Sequence, residues 1–475
     1  MAAFLNRHVA LIGFMGAGKT TLGRALAERL GRRFVDVDES VVQAGRSISE
    51  IFEAAGESGF REIEASLIHS FLERDEPVVI ALGGGAVTTP AVRELLRERA
   101  TTIHVDVDVD TAWERSAGTD RPNARDEAAF RRLYDERAPL YGEAADAVAR
   151  DLDDAVLAAG GVHVARGALA ELGALVPGGR KAALVSDAHV AGIHGADAQS
   201  ALGPRLASAH ELPVGEEAKS FATIARLWEA LTLDRGGTVV ALGGGCTTDA
   251  AGFAASTYLR GVAWVPVPTS LVGQVDAAIG GKTAINLPAG KNLVGSFHWP
   301  ARVVIDPALL ATLPAAARRE GMAEVVKTGL LAGEPFWQLA DDELVRRCAA
   351  FKTAVCLRDP LEGGEREILN LGHTFAHALE AAGSYGEVTH GRAVALGLLA
   401  ALRLSGLETK VVEDALRPQP VRVDRERAWQ ALSRDKKVRD GRIRLVLLDG
   451  VGKPRTGAEL PEGEVRAALN SLIAG

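Results

Sequence analysis

The amino-acid sequence predicts an α/β protein with two parallel-sheet domains followed by a mainly α-helical domain. Short apolar runs alternate with helix-like stretches at the start of the chain and again beyond residue 162, which is typical of parallel sheets covered by helices. From about residue 314, long Ala-, Leu- and Arg-rich stretches with three-to-four-residue spacing dominate. The chain has 475 residues, too many for one ordinary core, so we expect two or three domains.

Composition excludes several classes of protein. Apolar residues make up 47% and charged residues 24%, as in a soluble globular protein, and a net charge of -8 argues against nucleic-acid binding. Cys246, Cys348 and Cys356 form neither a disulfide framework nor a CxxC pattern, so we expect a reducing, cytoplasmic environment. The apolar run 9–15 is interrupted by Gly13 and is too short for a signal peptide or a membrane span.

The elements follow in a regular order. An Ala- and Asp-rich stretch at 142–165 indicates the first boundary, so we predict domains at 1–160, 161–313 and 314–475. In the first domain we predict strands at 8–13, 33–38, 78–82 and 102–109 and helices at 18–31, 47–73 and 90–100. In the second half we predict strands at 181–186, 237–242 and 262–267, then helices from 314 up to a late strand at 442–448.

A phosphate-binding loop lies between the first predicted strand and helix. Residues 13–20 match GxxxxGK[ST], in which glycine N–H groups cradle phosphates, Lys19 reaches the terminal phosphates and the Thr20 hydroxyl binds magnesium. Asp36 and Asp38, spaced i, i+2 at a predicted strand end, should point the same way and serve the magnesium shell and an acceptor hydroxyl. We therefore predict an ATP and Mg²⁺ site beside a small-molecule acceptor.

Residues 1 to about 155 resemble shikimate kinase. The shared patterns lie at 13–21, 36–38, 60–64 (FREIE), 83–87 (GGGAV) and 137–141 (RAPLY). The resemblance implies catalytic roles for Lys19, Asp38 and Arg121, with magnesium at Thr20 and Asp36. It implies ATP contacts at Gly16, Ala17, Gly18, Lys19, Thr20, Thr21, Arg115 and Arg121. It implies shikimate contacts at Asp38, Arg61, Gly83, Gly84, Gly85 and Arg137, because guanidinium groups bind carboxylates bidentately.

The second half contains a glycine turn typical of a dinucleotide site. Residues 242–252 (LGGGCTTDAAG) follow an apolar strand, although GGG is not the full GxGxxG pattern. Asp187, after another predicted strand, could contact an adenosine ribose or merely cap a helix, and both interpretations stay open. The likeness of 79–89 to 239–249 is interpreted as convergence on a strand followed by glycines, not as a repeat.

A metal site is predicted further along the chain. Glu324 and Lys327 are spaced i, i+3, His373 and His377 are spaced i, i+4, and His390 follows. One carboxylate and two imidazoles suit zinc or another divalent ion, although a histidine pair at this spacing is often structural. Basic residues in glycine-rich contexts indicate an anionic substrate with a phosphate and a carboxylate; they are Arg260, Lys282, Lys291, Lys352, Arg366, Lys436 and Lys437.

Residues from about 162 onward resemble 3-dehydroquinate synthase. The shared runs include 213–220, 256–261, 274–286, 290–298, 323–327 and 368–380, with departures at Thr248, usually glycine, and at Pro360, usually acidic. The resemblance implies metal ligands Glu324, His373 and His390, for Zn²⁺ or Co²⁺, and catalytic roles for Lys282, Lys327 and His377. It implies NAD⁺ contacts at Asp187, Glu216, Lys219, Gly244, Gly245, Asp249, Thr269, Ser270, Lys282 and Lys291. It implies heptulosonate phosphate contacts at Arg260, Asp276, Lys282, Asn292, Lys327, Lys352, Arg366, Asn370, His377 and Lys436.

Together the two resemblances imply a bifunctional enzyme of aromatic amino acid biosynthesis. The first half would phosphorylate shikimate with ATP. The second would convert 3-deoxy-arabino-heptulosonate 7-phosphate to 3-dehydroquinate with loss of phosphate and no net redox change, as a homodimer through the C-terminal half. Two alternatives stay open: a metal-dependent polyol dehydrogenase in the second half, or one half serving as a non-catalytic module. The expected partners are small molecules, without nucleic acid or membrane.

Overall fold

The first part of the chain forms a parallel sheet with helices on its faces. A computed structural model describes residues 3–43, 47–119, 122–178, 181–288, 290–383, 388–433 and 443–474. The chain divides into two units, Met1–Val162 and His163–Gly475. The five strands of the first unit run parallel in the order β2-β3-β1-β4-β5. They are β1 (His8–Ile12), β2 (Arg33–Asp36), β3 (Val78–Ala81), β4 (Ala100–Val105) and β5 (Ala147–Ala149).

Apolar residues explain why this sheet forms the core of the first unit. Every residue of β1 and β3 is buried, as expected for strands covered on both faces. The chain order reverses between β1 and β3, and loops at such a point form a crevice beyond the carboxyl ends of the strands. The surrounding helices are α1 (Lys19–Leu30), α2 (Val37–Gln43), α3 (Ile48–Leu72), α4 (Pro90–Arg99), α5 (Val109–Ser116), α6 (Glu127–Ala144) and α7 (Leu152–Ala159).

Two predicted strands of the first unit are too long. The strand predicted at 33–38 ends at Asp36, because α2 begins at Val37 and acidic residues in its first turn favour a helix N-terminus. The strand predicted at 102–109 ends at Val105. Asp108 instead caps α5, its carboxylate accepting a hydrogen bond of 2.8 Å from the Thr111 amide.

The second unit begins with another parallel sheet. Four strands run in the order β10-β9-β7-β8, so the chain order reverses between β7 and β9. Sequence patterns predicted three of these strands, whereas the half-exposed β8 was missed. The strands of this unit before its helical part are β6 (Val162–Val164, starting at the boundary residue), β7 (Ala182–Asp187), β8 (Leu206–Leu212), β9 (Thr238–Gly243), β10 (Ala263–Pro268), β11 (Lys282–Leu287), β12 (Gly290–Phe297) and β13 (Val303–Ile305).

Helices and an antiparallel hairpin complete this α/β region. Strands β11 and β12 pair antiparallel, separately from the four-stranded sheet. The glycine-rich turn after β9 leads directly into a buried helix, α12. The helices here are α8 (Leu172–Leu175), α9 (Ala188–Val190), α10 (Ala196–Leu202), α11 (Phe221–Ala230) and α12 (Gly245–Thr257).

The remainder is mainly helical, as the sequence predicts. Helices α13, α15 and α16 share a core of buried alanine, valine and leucine side chains. Within the described residues, no helix combines the length and apolar character needed to cross a membrane. These last elements are α13 (Ala315–Ala332), α14 (Asp341–Arg358), α15 (His373–Ala382), α16 (His390–Leu404), α17 (Lys410–Leu416), α18 (Arg425–Ser433), β14 (Leu445–Gly450), β15 (Lys453–Ala458) and α19 (Glu462–Asn470).

Candidate functional sites

The phosphate loop links β1 to α1 in the predicted conformation. Gly16 and Gly18 have φ angles of 81° and 88°, which favour glycine, and Gly18 caps the N-terminus of α1. Lys19 Nζ donates hydrogen bonds to the carbonyl oxygens of Gly13 at 2.8 Å and Phe14 at 3.0 Å. Arg115, on α5, donates to the Gly16 carbonyl at 3.2 Å, so it lies at the loop. The loop thus presents a helix N-terminus and a lysine to an anion.

The two predicted acidic residues do not share a strand face. Asp36 ends β2 and accepts a 2.6 Å hydrogen bond from the Thr20 hydroxyl, which joins the two groups predicted to hold magnesium. Asp38 instead lies in the first turn of α2. Its carboxylate is directed at Gly83, where a Cβ atom would come within 2.9 Å of it. Thr20 and Asp36 are in contact, whereas Asp38 lies near Gly83, and helix geometry rather than strand alternation places it.

Arg61 and Arg137, the two arginines predicted to bind the acceptor, both lie beside Glu57. Arg61, on α3, donates to Glu64 at 2.6 Å and to Glu57 at 3.0 Å, and Arg137, on α6, lies 3.9 Å from the same Glu57 carboxylate. A Cβ atom at Gly85 would clash with Arg61 at 1.9 Å, so glycine makes room for the guanidinium group. The arginines meet around one carboxylate, which is the arrangement that a carboxylate ligand needs. Arg121 lies outside the described residues.

Glu64 belongs to this site although it was not predicted as a site residue. It is 1% exposed, and burial raises the pKa of its carboxyl group against the charge of Arg61. A Cβ atom at Gly83 would lie 2.2 Å from Glu64 Oε1, so Gly83 also makes room for a side chain. The i, i+3 spacing of Arg61 and Glu64 on one helix was the available sequence clue. Nearby, the Tyr141 hydroxyl donates to the Gly84 carbonyl at 2.5 Å, which holds the glycine loop.

The candidate dinucleotide site lies where β7 and β9 end. Gly244 precedes α12, and Asp187 ends β7 and caps α9 by accepting hydrogen bonds from the His189 and Val190 amides. The helix-capping interpretation of Asp187 is therefore realised, while the Thr247 hydroxyl also donates to its other oxygen at 3.0 Å. Ser270 is the side chain closest to a Cβ built at Gly244, at 3.5 Å, and the amide of its neighbour Thr269 bonds to the Gly243 carbonyl at 3.0 Å.

Paired charges surround this turn. Lys219 is 4% exposed and donates to Asp249 at 2.5 Å and to Asn292, while Lys291 lies 2.6 Å from Glu216. Burial raises the pKa of Glu216, but the hydrogen bond from Lys291 contributes to an overall lowering of that pKa. Thr248, where relatives of this pattern usually carry glycine, lies inside α12 and donates to the Gly245 carbonyl at 3.1 Å. Glycine is not required there, because the residue is helical.

Asp276 joins two buried lysines in the predicted substrate site. Lys352 donates to its carboxylate at 2.6 Å and to its carbonyl oxygen at 2.8 Å, and Lys327 lies 3.8 Å away. Burial raises the pKa of Asp276, but both lysines outweigh it and lower the pKa overall. Lys327 also lies 2.5 Å from Glu324, and these carboxylates raise its pKa although burial opposes this. This chain of charges connects the predicted substrate site with the predicted metal ligands.

A second group of predicted substrate residues surrounds Glu362, which the sequence did not single out. Lys282 lies 2.6 Å from its carboxylate, and Asn370 also hydrogen-bonds to it. Arg366 is 1% exposed and donates to the Pro360 carbonyl at 3.1 Å, so proline at this position still provides a contact. Burial lowers the pKa of Lys282.

Three other predicted substrate residues are less completely defined. Arg260 is exposed and has a φ of 70°, a conformation that non-glycine residues rarely adopt. The His377 ring lies 5.7 Å from the His373 ring and therefore borders the predicted metal site. Lys436 lies outside the described residues.

The predicted metal ligands come together. Ligand atoms of Glu324, His373 and His390 all lie within 4.8 Å of one another. His390 Nε2 is 3.1 Å and His373 Nε2 is 3.5 Å from Glu324 Oε1. Burial and the Lys327 charge lower the pKa of His373 to about 4. Burial lowers the pKa of His390, but hydrogen bonds to Glu324 and Glu380 outweigh it and raise the pKa to about 10.

The residues fit the groups that the two resemblances imply. One carboxylate and two imidazoles converging from three helices suit a divalent ion with an open coordination position. The glycine turn before α12, with Ser270 facing Gly244, fits a dinucleotide pyrophosphate. The φ angle of Gly18, Lys19 on the loop and the Thr20–Asp36 contact fit a nucleotide with magnesium.

Comparisons with known families agree with this geometry. Residues 15–163 match the family described as shikimate kinase, residues 209–320 match the N-terminal 3-dehydroquinate synthase family, and residues 321–438 match its C-terminal counterpart. The 3-dehydroquinate synthase of Bordetella pertussis (strain Tohama I) is 40% identical over 341 residues, which cover 65% of this chain and 95% of that protein.

Solved structures show the same fold in the second half. A 2-deoxy-scyllo-inosose synthase complexed with carbaglucose-6-phosphate, NAD⁺ and Co²⁺ has a TM-score of 0.59 and 27% identity, over 65% of this chain and 96% of that one. The 2-epi-5-epi-valiolone synthase of Streptomyces hygroscopicus subsp. jinggangensis 5008, with NAD⁺ and Zn²⁺ bound, has a TM-score of 0.59 and 28% identity. The match covers 66% of this chain and 96% of the valiolone synthase chain.

Proposed function

The chain belongs to the 3-dehydroquinate synthase family and carries a shikimate kinase domain ahead of it, and on this premise we propose how its residues perform both reactions. The protein is a bifunctional shikimate-pathway enzyme. It phosphorylates shikimate with ATP and Mg²⁺, and it converts 3-deoxy-arabino-heptulosonate 7-phosphate to 3-dehydroquinate and phosphate with NAD⁺ and a divalent metal. We assign the kinase to residues 1–160, the NAD⁺ domain to 161–313 and the metal and substrate domain to 314–475.

In the kinase, the residues mainly position and neutralise charge. Lys19 and the loop amides bind the phosphates, while Thr20 and Asp36 hold magnesium. Arg61 and Arg137 bind the shikimate carboxylate, and Asp38 accepts the proton of the attacking hydroxyl. Magnesium, when bound, neutralises charge that develops on the transferred phosphoryl group. The remaining predicted contacts, including Arg115 and Arg121, complete the nucleotide side.

In the synthase, buried charges orient a phosphorylated, carboxylated substrate. The lysines beside Asp276 and Glu362 bind the anionic ends of the substrate. A lysine that leaves its internal carboxylate can donate its hydrogen bonds to the substrate instead. The glycine turn before α12 would hold NAD⁺, which would supply a transient hydride acceptor, and Glu324, His373 and His390 would hold a metal that would supply Lewis-acid polarisation of a substrate oxygen. Lys282, Lys327 and His377 are the residues that we propose to move protons or stabilise charge. Holding substrate and protons in one orientation can supply up to about 7–11 kcal/mol.

The convergence of Glu324, His373 and His390 carries the synthase assignment beyond sequence likeness. The test is a pair of assays on one purified chain: shikimate phosphorylation, and phosphate release from the heptulosonate phosphate. Lys19→Ala should remove nearly all of the first activity and leave the second, and His373→Ala should do the reverse. Loss of both activities from either folded variant would refute independent sites, and net NADH accumulation with a polyol would indicate a dehydrogenase instead.

We further propose a cytoplasmic homodimer that associates through the C-terminal half. Apolar side chains exposed on the β11–β12 hairpin support an interface, since such residues are normally covered. These are Leu287, Leu293, Val294 and Phe297, which are 38–48% exposed. Sedimentation of residues 161–475 at several concentrations tests the dimer, and Phe297→Asp should favour the monomer. A concentration-independent monomer would contradict the proposal.

A further inference from the structure

His390 differs from the other two proposed metal ligands in how it is held. The side chain of Glu324 is fully buried and that of His373 is 11% exposed, whereas that of His390 is 41% exposed. His390 is also the first residue of α16, so the chain on one side of it is not helical. Burial and helix geometry therefore constrain the position of the His390 side chain less than those of Glu324 and His373. Something else must hold its imidazole in line with Glu324.

Glu320 binds both residues that flank His390, one through its side chain and the other through its backbone amide. It lies one turn before Glu324 on α13, and its oxygens accept hydrogen bonds from the Thr389 hydroxyl at 2.7 Å and the Gly391 amide at 2.6 Å. A Cβ atom at Gly391 would lie 2.4 Å from the Glu320 carbonyl oxygen, so the helices approach more closely than another residue would allow. Glu320 therefore caps α16 from the same helix that carries the ligand Glu324.

Glu380 lies behind the His390 ring. It is carried by α15, the helix that begins with His373, and it is 7% exposed. Its Oε2 lies 3.5 Å from His390 Nδ1, while His390 Nε2 faces Glu324 at 3.1 Å. Metal-binding histidines commonly donate their second ring N–H to a carboxylate, which determines the tautomer and orients the ring. Glu380 is placed to accept that N–H.

We propose that Glu320 and Glu380 are positioning residues that hold His390 as the third ligand of the divalent metal. Glu320 sets the position of its backbone relative to Glu324, and Glu380 sets the orientation and tautomer of its ring. Both act through His390 without contacting substrate. The proposal rests on the proposed metal site. Glu380 ends the shared run 368–380 and Glu320 lies outside the shared runs, but the resemblance gives neither residue a role.

Metal affinity tests the proposal without reference to activity. Metal-free full-length protein is titrated with Co²⁺ in competition with a chromophoric chelator, and the visible absorption of bound Co²⁺ is recorded. Glu380→Gln should raise the Kd about 10–100-fold and change the Co²⁺ spectrum, as substitutions of such outer carboxylates do. Glu320→Gln should have a smaller effect, because Glu320 bonds to the residues that flank His390 and not to its imidazole. Glu408→Gln, at an exposed position, should leave Kd and spectrum unchanged.

A His390→Ala background separates positioning from general damage to the fold. Without the imidazole, Glu380→Gln should cause no further loss of the residual Co²⁺ affinity, because the interaction being tested has been removed. The proposal would be overturned if Glu380→Gln raised the Kd for Co²⁺ by the same factor with and without His390. It would also be overturned if both glutamine variants kept the wild-type Kd and spectrum. Failure of the wild-type protein to bind Co²⁺ or Zn²⁺ would instead refute the metal site itself.

Discussion

The two active sites hold their positive charges in different ways. In the kinase, Lys19 donates to main-chain carbonyl oxygens of its own loop. In the synthase, Lys327 and Lys352 are 1% and 8% exposed and meet the carboxylates of Glu324 and Asp276. A lysine satisfied by a local loop can be replaced with little change to the core. A buried lysine depends on its carboxylate for stability, so the residues proposed to act in the synthase also stabilise its fold.

The largest expected effect comes from removing the shared carboxylate of the synthase. Asp276→Ala leaves Lys327 and Lys352 buried without that partner, so the unfolding free energy of the second unit should fall by about 3–5 kcal/mol. Calorimetry of the full chain measures this change. Asp342→Ala breaks a pair with Arg166 whose side chains are 55–61% exposed, and it should cost at most about 1 kcal/mol. Equal losses of unfolding free energy in the two variants would show that the buried lysines do not depend on Asp276.

The matching substitution in the kinase should affect activity and not stability. Lys19→Ala removes a phosphate-binding group, and turnover of shikimate should fall by about 10²–10³-fold. The calorimetric transition of the first unit should scarcely move, because Lys19 is half-buried at the start of α1 and the buried residues of that helix begin at Gly23. A large loss of stability would show that the loop lysine, too, is structural.

Thr248→Gly tests whether the residue at this position of the synthase affects helix stability or NAD⁺ binding. The residue is helical, so glycine should lower the unfolding free energy by about 1 kcal/mol without improving NAD⁺ binding. Calorimetry and NAD⁺ titration provide the two measurements. Tighter NAD⁺ binding by the glycine variant would mean that Thr248 distorts the turn.

The smallest effect should be a gain in the kinase. Glu57 lies 3.0 Å from Arg61 and 3.9 Å from Arg137, where the shikimate carboxylate is proposed to bind. Glu57→Gln removes a competing charge, so the KM for shikimate should fall. The fall should be about 1.4–5-fold if the pairs of the exposed Glu57 with the two largely buried arginines contribute about 0.2–1 kcal/mol. Steady-state kinetics measure this, with Glu62→Gln as the exposed control on the same helix. A higher KM would show that Glu57 aligns the arginines instead.

Local features of the chain were predictable from the sequence, whereas side chains placed by the fold were not. The phosphate loop was predictable because all of its parts lie within eight consecutive residues. The placement of Asp36 and Asp38 on one strand face was wrong, because two acidic residues after β2 favour a new helix. The roles of Glu57, Glu64 and Glu362 were not predicted, because an ordinary surface glutamate has the same local sequence features.

The sequence by itself determined the α/β order of the first unit, the phosphate loop, and the residues that could bind a metal in the second. Those features depend on local spacing and on apolar periodicity, which act over a few residues. Tertiary structure decided which charges neutralise each other, since Asp276, Lys327 and Lys352 come from separate elements and meet only inside the folded core. It also decided how His390 reaches Glu324, because α13 and α15 supply the carboxylates around it.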